Sequence, residues 1–144
     1  ARLLIDQGIV KSVDEAFNQY LGRGGPAYVE KYRIPAAEAI RVIRGAGGVA
    51  VLAHPGVVSL PPDRSMADLV ARLVEMGLGG IEAHYPAHRP DQIAAYTALA
   101  DRYDLRITGG TDFHGAVTPD IQMGWGRGDF HVPYRLYDNL LQAA

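Results

Sequence analysis

The stretch Gly47-Gly48-Val49-Ala50-Val51-Leu52-Ala53-His54-Pro55-Gly56 decides the fold class. It is a short apolar run between glycines and a His-Pro-Gly, the pattern of a parallel strand buried on both faces. Toward the C-terminus the period changes. Met66, Leu69, Val70, Leu73 and Val74 recur at helical spacing, which predicts a helix with one apolar stripe ending at Gly77. Gly80-Ile81-Glu82-Ala83-His84-Tyr85 reads as a second strand, and Tyr96, Leu99, Ala100 and Tyr103 mark another helix. Leu105-Arg106-Ile107-Thr108 begins a third strand that runs into Gly109-Gly110-Thr111-Asp112-Phe113-His114, and Tyr137, Leu140 and Leu141 lie on a final helix. Strand starts recur roughly every 30 residues with a helix between, the length of a βα unit, so the expected class is α/β with right-handed crossovers and a parallel sheet.

Toward the N-terminus, Pro35 suits a first helical turn, and Ala36, Ala39, Ile40 and Ile43 share a face until Gly45, Gly47 and Gly48 end the helix. Before it lies Leu21-Gly22-Arg23-Gly24-Gly25-Pro26-Ala27-Tyr28, too rich in glycine to be regular. Two short helices come first: one from Arg2 to about Gln7, and one opened by Ser12-Val13-Asp14-Glu15, which reads as a capping box. The expected organisation is a helical segment and linker over residues 1–34 followed by the α/β part over residues 35–144.

Bulk properties narrow the function classes. The chain has 144 residues, 48% hydrophobic and 21% charged, enough for one domain with a real core. A formal net charge of −2 offers no global attraction to a polyphosphate backbone, so any nucleic-acid contact has to be local. No cysteine is present, which excludes a disulfide framework and a thiolate zinc site. No apolar run reaches about 18 residues, so no membrane span is expected, and a cytoplasmic protein is the default reading. The opening Ala1-Arg2-Leu3-Leu4-Ile5-Asp6 has no signal-peptide pattern and no initiator Met, as if the chain were entered in the middle.

Ligand sites of parallel α/β sheets lie at the carboxyl ends of the strands. That rule selects His54 after the first strand, Glu82 and His84 at the end of the second, and Asp112 and His114 after the third. Imidazole and carboxylate are the ligand types that suit zinc, manganese or iron. Asp112 and His114 are two apart, so in an extended segment both would point to one side. A site role and a structural role stand side by side for Glu82 and His84. His88 is a loop histidine, either solvated or placed to meet a phosphate, and Trp125 reads as a loop anchor. Arg23, Lys31 and Arg33 could bind a substrate phosphate or form a solvated basic face.

The segment 47–56, Gly80-Ile81-Glu82 and Thr108-Gly109-Gly110-Thr111-Asp112-Phe113-His114-Gly115 together resemble the polymerase and histidinol phosphatase (PHP) family. The upstream run from Tyr20 to Val29 is similar to an insertion in the branch of nucleoside-3′,5′-bisphosphate phosphatases that also act as 5′-to-3′ exonucleases on short RNA. The resemblance spans nearly the whole chain. It implies the C-terminal βα units of a distorted (β/α)7 barrel preceded by a small helical insertion. It also implies two or three divalent transition metals (manganese, zinc or iron) and a phosphorylated nucleoside or short oligonucleotide as substrate. On it, His54, Asp112 and His114 are metal ligands; Arg23, Lys31, His88 and Glu82 are candidate substrate contacts from the reading of the residues themselves. No catalytic acid or base is assigned. The family's N-terminal ligands, an H-x-H pair among them, have no counterpart here, so the expected activity belongs to an intact protein. The chain by itself is expected to be inactive, to bind metal weakly or not at all, and to have strand edges open to self-association. Two alternatives remain beside this reading: a non-catalytic α/β binding module, and a PHP phosphatase for another substrate such as histidinol phosphate.

Overall fold

The computed structural model describes residues 1–128 and 130–142 and forms two compact units, Ala1–Ile34 and Pro35–Ala144. In the first, helix α1 spans Arg2–Asp6 and helix α2 spans Val13–Ala16, the latter running into a wider turn over Phe17–Leu21. The capping box expected at Ser12 is shifted. Ser12 Oγ accepts from the Glu15 N–H at 3.1 Å, but Glu15 Oε2 takes the N–H of Lys11 at 2.7 Å, one residue earlier than the box requires. The glycine-rich stretch beyond Leu21 forms turns and irregular backbone.

The second unit carries helix α3 (Ala36–Gly45), strand β1 (Val51–Leu52), helix α4 (Met66–Glu75), strand β2 (Gly80–His84), helix α5 (Pro90–Tyr103), strand β3 (Arg106–Gly109) and helix α6 (Arg135–Leu141). The strands form a parallel sheet in the order β1-β2-β3, with α4 and α5 as the crossovers. The helix boundaries follow local chemistry. A capping box at Ser65 and Asp68 opens α4, and Gly77 beyond it adopts φ +99°. Pro90 occupies the first turn of α5, which ends on Asp104 in the left-handed conformation. Among the described residues no helix is long and apolar enough to cross a membrane.

Two expectations need correction. The strand expected over Val49–Ala53 pairs only at Val51 and Leu52, because Ala50 already turns its carbonyl to the N–H groups of both Gly79 and Gly80. Nor is the sheet buried on both faces. Along β2, Ile81 and Ala83 are fully buried whereas Glu82 and His84 are only half-buried, so the strand alternates. Ile81 and Ala83 face the core made by Ile40, Val70, Leu73, Tyr96 and Ala100, that is, by α3, α4 and α5. The opposite face belongs to the polar residues.

Register shifts between Glu82 and His84, where β2 meets the end of β3. Glycine is needed there, since a Cβ on Gly109 would lie 2.6 Å from the His84 Cβ. Ile81 has no exposed surface, and its side chain is the apolar centre of the unit. Ile81→Ala should lower the unfolding free energy by about 3 kcal/mol, read from the urea midpoint, whereas truncation at a surface position should stay within about 0.5 kcal/mol. Exposed Val57 is the control position for Val57→Ala.

Candidate functional site

The carboxyl end of the sheet gathers most of the polar residues that the sequence singles out. His54 follows β1 after one intervening residue, Ala53, and opens a tight turn over Pro55–Val57 with φ +29° and ψ +61°, unusual for a residue with a Cβ. Glu82 holds it there: the His54 N–H donates to Glu82 Oε2 at 2.7 Å. Glu82 thus has a structural partner, a role that its place on β2 does not disclose by itself. The imidazole Nδ1 of His54 is buried and has no hydrogen-bond partner among the described residues.

Asp112 and His114 come together, but not as an extended pair. Asp112 has φ +53°, and His114 folds back so that its Nδ1 lies 2.7 Å from the Asp112 carbonyl and 3.6 Å from Asp112 Oδ1. A carbonyl oxygen only accepts, so Nδ1 carries a proton, and in the neutral ring it is Nε2 that holds the lone pair. Left-handed backbone at a residue with a Cβ costs about 1–3 kcal/mol and concentrates at functional sites. Among the described non-glycine residues it occurs at Asp104, which caps α5, and at His54 and Asp112, two of the three expected ligands.

Tyr85, not singled out from the sequence, links the two sides. Its ring centroid is 5.6 Å from that of His54, and its hydroxyl donates to Asp112 Oδ2 over a long 3.4 Å. Burial, then the Asp112 charge and hydrogen bond, then Glu82 push the phenol above its ordinary pKa, so it stays a proton donor. Burial and the nearby Arg135 push His84 below its ordinary value, which keeps that imidazole neutral at neutral pH.

His88 requires a correction. It is not a solvated loop residue: it is 8% exposed, its Nδ1 lies 2.9 Å from the Ala83 carbonyl, and its Nε2 accepts the Gly56 N–H at 3.1 Å. Both ring nitrogens are committed, so His88 bridges two loops and has no free nitrogen for a phosphate. Trp125 is likewise not an anchor, being 64% exposed. Arg23 and Lys31 are exposed residues of the unit Ala1–Ile34.

Beside Asp112 opens a cleft of about 340 Å³, walled by Tyr85, Pro86, Thr111, Asp112, Thr118 and Arg127. Of these, only Asp112 is a site candidate from the sequence. Thr118 and Arg127 sit in irregular backbone without a periodic signal that would have picked them out. A carboxylate, two imidazoles with uncommitted nitrogens and a protonated phenol suit the binding of metal and oxyanion. Among the described residues, however, no group of three or more His, Asp or Glu side chains converges closely enough to hold a metal ion.

Comparison with known proteins supplies the kinship. The chain is 36% identical over 115 residues to a 3′,5′-nucleoside bisphosphate phosphatase of Chromobacterium violaceum, covering 79% of this chain and 40% of that protein. It is 35% identical over 124 residues to the 5′-3′ exoribonuclease Rnm of Escherichia coli, covering 86% and 42%. A protein of Bifidobacterium adolescentis provisionally named a metal-dependent phosphoesterase superposes with a TM-score of 0.73 at 26% identity, over 99% of this chain and 48% of that one. The chain is related to the PHP-type phosphoesterases. No protein-family model matches it. It spans about 40% of the length of these curated relatives.

Glu82 generates the prediction here. Glu82→Ala removes the acceptor of the part-buried His54 N–H, and leaving such a donor unpaired costs about 1–3 kcal/mol. The variant should melt lower than the parent, and the His54 amide should lose protection in hydrogen exchange. A melting point and exchange rate equal to the parent's would show that the tie does not hold the turn.

Proposed function

We propose that this chain is part of a metal-dependent phosphoesterase that hydrolyses phosphate esters, with nucleoside 3′,5′-bisphosphates or short oligonucleotides as substrates. The observation that carries the reading is His54 Nδ1, a buried lone pair or proton without a partner at a strand end. Buried polar atoms in native proteins nearly always have one, and a missing partner calls for an ion, a water or a ligand. The relatives act in the same sense by name: one is a bisphosphate phosphatase and another an exoribonuclease. The parallel sheet supports a place in a distorted (β/α)7 barrel, with residues 1–34 as a helical insertion.

The donors fit the chemistry of divalent manganese, zinc or iron one by one and fall short as a set. His54 would offer Nδ1, Asp112 its carboxylate and His114 its Nε2, whose orientation is fixed by the bond from Nδ1 to the Asp112 carbonyl. A bound cation supplies Lewis-acid neutralisation of charge on the phosphoryl oxygens. What the chain's own residues do is independent of that. Glu82 holds the His54 turn, Tyr85 donates to Asp112 and steers its carboxylate, and the cleft beside Asp112 receives part of the substrate.

In the full-length protein, Asp112→Asn should lower kcat/KM for release of phosphate from adenosine 3′,5′-bisphosphate with added Mn²⁺ by at least ~100-fold, and should lower the metal content of the purified protein. Residues 1–144 alone should release no phosphate. Absence of phosphate release by the full-length protein, together with metal content unchanged by Asp112→Asn, would leave a non-catalytic α/β module as the reading.

A further inference from the structure

The cleft beside Asp112 has features that holding a metal would not require. Its walls include Tyr85, Pro86, Thr111, Thr118 and Arg127, but of the three proposed ligands only Asp112 lines it. Arg127 is the only cationic side chain among its lining residues. The loop that carries Arg127 is closed by a two-way bridge: the Gln122 N–H donates to the Gly126 carbonyl at 2.7 Å and the Gly126 N–H returns to the Gln122 carbonyl at 2.9 Å. Gly126 is buried with φ +59°, and a Cβ there would lie 2.9 Å from the Phe130 Cβ and 3.6 Å from Pro86. The backbone just before Arg127 is therefore seated against the wall formed by Pro86.

Thr118 provides an independent observation. Its Oγ1 is buried and lacks a hydrogen-bond partner among the described residues, although the residue lines the cleft. An unsatisfied buried hydroxyl is a standing cost that a ligand oxygen in the cleft would remove. A guanidinium and a hydroxyl donor lining one cleft are the chemistry of oxyanion recognition, and Arg binds phosphate with two parallel N–H donors. The negative charge of the wall, Asp112, already takes the Tyr85 hydroxyl at Oδ2.

We infer that Arg127 and Thr118 form a subsite for the phosphoryl group of the substrate that is not hydrolysed, and so select substrates bearing a second phosphate. The inference rests on the phosphoesterase reading for its substrate, not for its chemistry. The volume of about 340 Å³ lies in the range of small-molecule sites and exceeds what a phosphate alone needs, leaving room for the adjoining sugar. Of the three proposed metal ligands, the cleft meets only Asp112. The group it holds is accordingly one that is positioned rather than cleaved.

The test uses the full-length protein with adenosine 3′,5′-bisphosphate and adenosine 3′-monophosphate. Arg127→Met should raise KM for the bisphosphate by about tenfold or more, with kcat changed by less than about threefold, and leave KM for the monophosphate unaltered. Arg127→Lys should restore part of the loss. Thr118→Val should raise the bisphosphate KM by a few-fold without lowering the melting temperature, since it removes an unpaired buried hydroxyl. Equal KM increases for both compounds, or none for either, would overturn the subsite. If the parent protein hydrolyses neither compound, the phosphoesterase reading fails and calorimetry with inorganic phosphate decides the subsite separately. Binding that Arg127→Met abolishes upholds it, and binding absent in the parent or unchanged in the variant refutes it.

Discussion

A single hydrogen bond, 2.7 Å from the His54 N–H to the Glu82 carboxylate, ties the turn after the first strand to the middle of the central one. The turn needs this tie because His54 sits at positive φ, where a residue with a Cβ is strained and persists only if its surroundings over-determine it. Glu82 can make the tie because β2 alternates. Ile81 and Ala83 are spent on the helical core, which leaves Glu82 and His84 on the opposite face. One parallel ladder therefore sets both the core and the polar end of the sheet.

His88 strengthens the same arrangement from the other side. Its ring spans from the Ala83 carbonyl to the Gly56 N–H, stitching the loop after β2 to the turn after β1. A Cβ on Gly56 would lie 2.7 Å from the His88 ring, so the turn has room for this ring only with glycine there. The Tyr85 ring lies between His54 and His88, with centroids 5.6 Å and 5.1 Å away. The two loops that frame the polar end are thus locked by hydrogen bonds, one of them to the Glu82 carboxylate, and by aromatic packing.

Much of this unit was legible in the sequence. Helix α4 reads from its stripe of Met66, Leu69, Val70 and Leu73, and β2 from Gly80 to His84, because burial imposes a period that a linear pattern can display. The rule that sites lie at strand ends offered His54, Glu82, His84, Asp112 and His114 as candidates from position, and only the family resemblance narrowed them to three expected ligands. Strand β1 read too long, since apolar composition does not reveal how many of its residues find a partner. His88 read as a solvated loop residue, since nothing local says that Ala83 and Gly56 approach its two nitrogens.

By itself the sequence determined the α/β alternation, the parallel order of its strands and the chemistry available at their carboxyl ends. These follow from local propensity and burial period, which are properties of neighbouring residues. Only the tertiary structure decided which of those polar groups hold the fold and which stay free. Glu82 is bound to the His54 backbone, His88 is saturated, and the His54 Nδ1 and the Thr118 hydroxyl have no partner among the described residues. The reason is physical: whether a polar atom is satisfied depends on a few tenths of an ångström between segments tens of residues apart, and no spacing along the chain encodes that distance.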